Sequence, residues 1–161
     1  MAKLYTRLGD CGFTETLKEK HIPKSDSLIC LIGTLDEFSA ALGVAKAHLE
    51  NGDMKRDIDT LQELLISIMG ELAGGKSCEG CEATLDIEGL TDKYSGRFDG
   101  FSVPGVNKPS AYLNLARCVV RRAERIAAEL LEEEKIRRET YCSLNRFSDL
   151  IYAMSRYAEE I

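Results

Sequence analysis

From position 32 onward, apolar residues return every three or four places. Ile32, Leu35, Phe38, Leu42, Ala45 and Leu49 keep this spacing, which is the period of a helix with one buried face. Thr34 is a candidate N-cap, with Asp36 and Glu37 in the first turn, where the helix dipole favours acids. Asn51-Gly52 is a stop signal. Asp53 can cap a second helix whose face carries Ile58, Leu61, Leu64, Leu65, Ile68, Met69 and Leu72. Residues 73–83 form a Gly-rich break, and residues 84–97 a weaker helix interrupted by Gly89. Residues 99–109 read as a loop with two prolines. Ser110 to about Glu134 predicts a long helix bearing Tyr112, Leu115, Val119, Ala123, Ile126 and Leu130. Residues 139–160 predict a last helix bearing Leu144, Phe147, Ile151, Met154 and Ala158, with Ile161 just beyond it. Long helices joined by short links give an up-and-down bundle of four or five members. Residues 1–31 read as irregular: short, Gly- and Thr-rich, with Pro23.

Length adds that this is one domain, large enough to bury roughly 70% of its unfolded surface. A net charge of −6, from 21 basic and 27 acidic residues, argues against a broad nucleic-acid surface. No unbroken apolar run approaches the ~20 residues of a membrane span. The first seven residues hold no apolar signal core. The expectation is a soluble, cytoplasmic chain. Six cysteines then read as reduced thiols rather than a disulfide framework. Cys78 and Cys81 form a lone C-x-x-C. A structural zinc needs four ligands, and no second pair accompanies them; the histidines are His21 and His48.

Two segments have the chemistry to meet phosphate. Gly70-Glu-Leu-Ala-Gly-Gly75-Lys76-Ser77 matches G-x-x-x-x-G-K-S. That loop works only between a buried strand and a helix, whereas here helical spacing runs into it. A Gly C-cap followed by a loop is the plainer reading, and a nucleotidase using Lys76 is the rival it leaves. The other candidate is split. Thr6-Arg7-Leu8-Gly9-Asp10-Cys11-Gly12-Phe13-Thr14 has two glycines that permit tight turns, so amides can converge on an anion. Lys24 follows ten residues later. On the fourth helix Arg117, Arg121 and Arg125 stand at i, i+4 and i+8, stacked on one face. Like charges so placed cost roughly 0.2–0.5 kcal/mol per pair. Either Glu124 and Glu129 compensate locally, or the face awaits a polyanion suited to guanidinium forks. The pattern alone leaves both open.

Three blocks resemble the PduO-type ATP:cob(I)alamin adenosyltransferases, the corrinoid adenosyltransferase family. Tyr5 to Thr14 resembles Y-T-x-x-G-D-x-G-x-T, continuing through Pro23-Lys24-Ser25-Asp26 to Gly33-Thr34-Leu35-Asp36-Glu37. Phe101-Ser-Val-Pro104-Gly105 resembles F-x-x-P-G, and Ala116 to Arg125 resembles A-R-x-x-x-R-R-A-E-R. Leu144-Asn145-Arg146-Phe147-Ser148-Asp149 resembles L-N-R-L-S-D. Together the blocks span residues 4–158 in order. The resemblance implies an all-α, up-and-down five-helix bundle of ferritin-like type within one domain, 1–161. Residues 1–31 would be the ATP-binding segment and 33–161 the helical bundle. It also implies a homotrimer with ATP between subunits. Thr6, Arg7, Leu8, Gly9, Thr14, Glu15 and Lys24 of one chain would face the nucleotide. Arg121, Arg122, Glu124, Arg125 and Asn145 of the neighbour would complete the site. Asp36 and Arg117 match a pair that bridges subunits, and Phe101 matches the aromatic that crowds the lower face of the corrin.

The implied reaction transfers the 5′-deoxyadenosyl group of ATP to cob(I)alamin. Phe101 displaces the lower axial ligand, cobalt(I) attacks the 5′ carbon, and triphosphate leaves, with magnesium on its oxygens rather than on protein ligands. The cofactor chemistry needs no protein nucleophile. A reductase and an adenosylcobalamin-dependent enzyme are implied partners; nucleic acid and membrane are not. The chain departs from the pattern at Leu8, Leu28, Cys30, Ile32 and Val106-Asn107. Those departures keep a second reading alive: a trimeric paralogue that carries or senses ATP or adenosylcobalamin without turnover.

Overall fold

The structure is a computed structural model; it describes Arg7, residues 9–76, residues 86–96, Gly100 and residues 103–161. Five helices account for nearly all of it: α1 (Ser27–His48), α2 (Gly52–Leu72), α3 (Ile87–Ser95), α4 (Lys108–Glu132) and α5 (Arg138–Tyr157). Ahead of them lies a small antiparallel ladder of β1 (Phe13–Thr14) and β2 (Ile22–Pro23), with Phe13 opposite Pro23 and Thr14 opposite Ile22. The expected all-α bundle is what the chain forms, with this hairpin as a local addition to a leader expected to be irregular.

Cross-helix pairs fix the directions. His48 stacks on Tyr112 with ring centroids 4.8 Å apart, and Glu37 meets Arg122, so α1 and α4 run antiparallel. Arg117 lies over Tyr152, and Asn107 donates through Nδ2 to the carbonyl of Ala158 at 2.6 Å, so α5 returns along α4. The core is the apolar seam between these helices. Leu31, Leu35, Phe38 and Leu42 of α1, Leu113, Ala116, Val120 and Ala123 of α4, and Leu144, Phe147, Ile151 and Met154 of α5 are all buried. Phe38 and Phe147 meet at 6.3 Å between centroids. Each fully buried aromatic or leucine contributes on the order of 2–3 kcal/mol through surface removed from water.

The helix starts differ from the sequence expectation. α1 begins at Ser27, capped by the Asp26 carboxylate, which accepts from the Leu28 amide at 2.8 Å. Thr34 is therefore inside the helix, its hydroxyl donating to the Cys30 carbonyl at 2.7 Å. Asp36 and Glu37 stand mid-helix. The pattern failed here because Leu28, Ile29, Leu31 and Ile32 make the first turns apolar on every side. Asn51 rather than Asp53 caps α2, and Asn107 caps α4 in a reciprocal box with Ser110. Leu115 and Ile161, expected on apolar stripes, are exposed. α1 is also long and apolar enough by length and composition to cross a membrane, since Asp36 and Glu37 are few enough for that measure. Its buried face nevertheless belongs to the core of the bundle.

α3 is held by a polar node. Tyr94, buried among apolar groups, donates its hydroxyl to the Asp57 carboxylate of α2. Lys93 donates to the same oxygen at 2.6 Å. Burial, then the bond to Asp57, pushes the Tyr94 phenol up from 10.0 to about 12. The folded value lies above the unfolded one, so the phenol's contribution is complete below about pH 10 and is lost as pH rises through about 12. Tyr94→Phe is expected to cost about 1–2 kcal/mol by leaving the carboxylate short of a donor. Urea unfolding of both proteins should show that gap at neutral pH and show it closing between about pH 10 and 12.

Candidate active site

The leader is a set of tight turns closed by its own lysine. The Asp10 amide donates to the Arg7 carbonyl and the Gly12 amide to the Gly9 carbonyl, each at 3.3 Å. Gly12 has φ +83°, which glycine adopts without strain. The Lys24 amide then donates to the Gly12 carbonyl at 2.9 Å, and Lys24 Nζ to the Gly9 carbonyl at 2.8 Å. A Cβ at Gly9 would stand 2.9 Å from Lys24 Nζ, so a side chain there would push the end of that flexible lysine aside. Phe13 and His21 stack at 3.9 Å across the hairpin. The Leu17 amide donates to the Ala73 carbonyl at 2.9 Å and moors the leader to the end of α2. Gly9, Arg7 and Lys24 are thus brought together, with Thr14 half-buried and Glu15 exposed on the following strand. Thr6 and Leu8 lie outside the described residues.

The guanidinium ladder forms the second half. The buried face of α4 holds Ala116, Val120, Ala123 and Ala127, which turns Arg121, Arg122 and Arg125 to solvent. Arg122 is bound by Glu37 of α1. Arg125 donates to the Arg121 carbonyl at 3.0 Å. Arg121 has no acidic partner among the described residues, and neither Glu124 nor Glu129 enters an ion pair there. Of the two alternatives the sequence left open, compensation by Glu124 and Glu129 is not seen among the described residues. Asn145 is half-buried in the middle of α5 and makes no side-chain hydrogen bond among the described residues. It is no helix cap. Its neighbour Arg146 is taken by Glu88 at 3.0 Å.

Arg117 is half-buried at the far end of the ladder, its guanidinium 5.0 Å from the centre of the Tyr152 ring. Its Nε is buried with no hydrogen-bond acceptor, which is costly in a folded chain. Asp36 is exposed on α1 with no partner among the described residues. It stands in a stripe of small and apolar exposed residues, Gly33, Ala40, Val44 and Ala47. Phe101 lies outside the described residues, as do Ser77, Cys78 and Cys81. One pairing and one residue escaped the sequence reading. Glu37, read there as a first-turn acid, is 85 positions from the arginine it binds, and Tyr152 sits between apolar neighbours with nothing local to mark it.

The glycine-lysine match at Gly70–Lys76 is no phosphate loop. Its first residues are the last turn of α2, and the Gly75 amide donates back to the Gly70 carbonyl at 2.8 Å. The element that leads into it is a helix and not a strand, and among the described residues no group of three or more His, Cys, Asp or Glu side chains is placed to hold a metal. The described cysteines, Cys11, Cys30, Cys118 and Cys142, are free and exposed.

The chain is thus an all-α bundle with an arginine-lined helix and a glycine-turned leader, chemistry suited to an anionic ligand. The solved structure of a variant PduO-type ATP:corrinoid adenosyltransferase from Lactobacillus reuteri, complexed with cobalamin and ATP, superposes with a TM-score of 0.87 at 26% identity over 98% of this chain and 94% of that one. The corrinoid adenosyltransferase of Citrobacter freundii is 32% identical over 99% of this chain and 96% of its own length. That of Mus musculus is 32% identical over 97% and 72%. The family model described as cobalamin adenosyltransferase matches residues 4–158. The chain belongs to the cobalamin adenosyltransferase family.

Proposed function

We propose that ATP lies between two copies of this chain, its triphosphate clasped by the leader of one and by the ladder of the other. The chain is an enzyme: it transfers the 5′-deoxyadenosyl group of ATP to cob(I)alamin, giving adenosylcobalamin and triphosphate. Gly9 and its neighbouring amides, with Thr6, Arg7, Leu8, Thr14, Glu15 and Lys24, form the leader's side of the nucleotide site. Arg121, Arg122, Glu124, Arg125 and Asn145 form the other side. The observation that carries this assignment is Arg121: an exposed guanidinium among like charges that has no acidic partner among the described residues.

The displacement needs cobalt, the 5′ carbon and the leaving oxygen in line, and holding three groups so is worth several kcal/mol. Charge accumulates on the triphosphate as the C–O bond breaks. Arg121 and Lys24 are placed to meet that charge, where fixed cations stabilise the transition state more than the ground state. Lys24 must exchange the Gly9 carbonyl for phosphate oxygen, a switch between two acceptors that its flexible stem permits. Magnesium is assigned to the phosphate oxygens of the nucleotide, where it would offset part of the triphosphate charge. Phe101 is assigned to the lower face of the corrin, where an apolar side chain excludes the axial ligand. A reductase must supply cobalt(I), and an adenosylcobalamin-dependent enzyme takes the product.

The same reading makes the protein a homotrimer of single-domain chains, the leader ahead of α1 serving the nucleotide and α1–α5 forming the bundle; the expected boundary at residue 31 moves back because α1 starts at Ser27 and Leu31 is in the core. The Nε of Arg117 and the carboxylate of Asp36, each without a hydrogen-bond partner among the described residues, are complementary in charge, and a pairing between neighbouring chains would satisfy both. Asp36 lies in an apolar stripe of α1 that a second copy would cover. Free, exposed thiols fit a reducing, cytoplasmic setting. The carrier reading gains nothing from the structure: Asn107, one of the departures, is spent on capping α4 and on tying α5.

In anaerobic assays following the cobalt absorbance, the chain is expected to convert cob(I)alamin and ATP to adenosylcobalamin with release of triphosphate. Arg121→Ala should lower kcat at least about 100-fold; release of free phosphate without corrin alkylation would count against the whole reading. In light scattering, Asp36→Arg should break the trimer, and adding Arg117→Asp should restore it. A trimer untouched by the first change removes the proposed bridge.

A further inference from the structure

α2 ends in a Schellman turn. The Gly74 amide donates to the Glu71 carbonyl and the Gly75 amide to the Gly70 carbonyl, each at 2.8 Å, with Gly74 at φ +94°. Such a turn satisfies two of the carbonyls that a helix end leaves open, and the others must find a donor elsewhere. For Ala73 that donor is the leader, whose Leu17 amide takes the carbonyl at 2.9 Å. Beside this bond the stem of Lys18 lies across Gly74. A Cβ at Gly74 would stand 2.6 Å from Lys18 Cγ and 3.1 Å from its Cβ and Cδ. Gly75 is as confined, since a Cβ there would meet the Gly70 carbonyl oxygen at 2.7 Å. The last turn of α2 is itself held to the link before α5, where Glu71 accepts two hydrogen bonds from Arg137, at 2.7 and 2.8 Å.

Residues 16–19 turn the leader's hairpin, closed by the Thr16 amide on the Glu19 carbonyl at 2.8 Å and by the Glu19 amide on the Thr16 hydroxyl at 3.1 Å. The other end of the same hairpin carries Gly9, Gly12 and Lys24, tied by the Lys24 amide on the Gly12 carbonyl. Only the two-residue strands β1 and β2 lie between, so a displaced turn takes the phosphate-facing groups with it. We propose that the Gly74–Gly75 turn is the dock that places the leader, and that Lys18 and Gly74 are positioning residues for ATP. The proposal rests on the reading of the leader as half of the nucleotide site. The glycine-lysine segment then serves the nucleotide at one remove, through the backbone it presents to the leader and not through Lys76.

Gly74→Ala drives a methyl into the Lys18 stem. The Kd for ATP, measured without corrin, is expected to rise about three- to tenfold, the worth of the one hydrogen bond that moors the turn. The kcat at saturating ATP and cob(I)alamin is expected to stay at the wild-type value. In the ligand-free protein, amide exchange across residues 9–19 is expected to quicken by a similar factor. Adding Lys18→Ala removes the Cγ and Cδ that the methyl strikes, and is expected to return the Kd to that of Lys18→Ala alone. Strain confined to the end of α2 would not answer to a change in the leader. An ATP affinity untouched by Gly74→Ala overturns the dock, as does a loss that Lys18→Ala leaves in place. If Gly74→Ala does not fold, Leu17→Pro removes the donor from the leader's side, where the Leu17 side chain is 80% exposed. It is expected to weaken ATP by a similar factor at the wild-type urea midpoint, and unchanged affinity overturns the proposal. If wild type binds no ATP, the nucleotide reading fails while amide exchange still decides the dock: exchange quickened by Gly74→Ala and restored by Lys18→Ala upholds it, and unchanged exchange overturns it.

Discussion

Everything functional in this chain depends on how α4 divides its circumference. One side supplies Leu113, Ala116, Val120, Ala123, Ala127 and Leu130 to the seam with α1 and α5, and all six are buried. The rest of the helix must then face solvent or another molecule, and four arginines occupy it. Small residues on the inner side let the helices approach closely, which fixes the azimuth of α4 and with it the direction of every guanidinium. Like charges at one-turn spacing oppose this arrangement. The fold relieves only part of the conflict: Glu37 takes Arg122, Arg117 lies over the face of Tyr152, and Arg121 has no acidic partner among the described residues. That free cation is why the proposed site puts the triphosphate of ATP against this face.

The leader complements it through backbone rather than charge. Its turns use Gly12 for a left-handed backbone conformation, and Gly9 lies against the end of the Lys24 side chain. Its lysine is parked on a carbonyl of the same turn. The anchor at Ala73 joins it to α2, and its strands make no substantial packing against α4 or α5. Two half-sites of complementary chemistry on separate parts of one bundle are readily joined by a cyclic assembly, in which each interface repeats and each copy gives one half to a neighbour.

Much of this was legible in the sequence. The bodies of α2, α4 and α5 followed from apolar spacing, and the arginine ladder and glycine leader were visible as motifs. The beginning of α1 was not, because Leu28, Ile29, Leu31 and Ile32 erase the contrast between faces on which periodicity depends, and the true cap, Asp26, stands before them. Leu115 fits the apolar repeat and is exposed, since a residue's place on a repeat does not say which way the whole helix is turned. The pairing of Arg122 with Glu37 and the Tyr152–Gly100 tie join positions 85 and 52 residues apart. Local pattern has no access to such contacts; they exist only once the bundle has closed.

The claim that two copies share each nucleotide site is tested most directly by subunit mixing. Lys24→Ala damages only the leader half and Arg121→Ala only the ladder half, so each variant alone should be inactive. Co-refolded in equal amounts, they should regain about a quarter of wild-type activity, the statistical share of interfaces that unite an intact leader with an intact ladder. Mixed oligomers with no more activity than either variant alone would contradict the account.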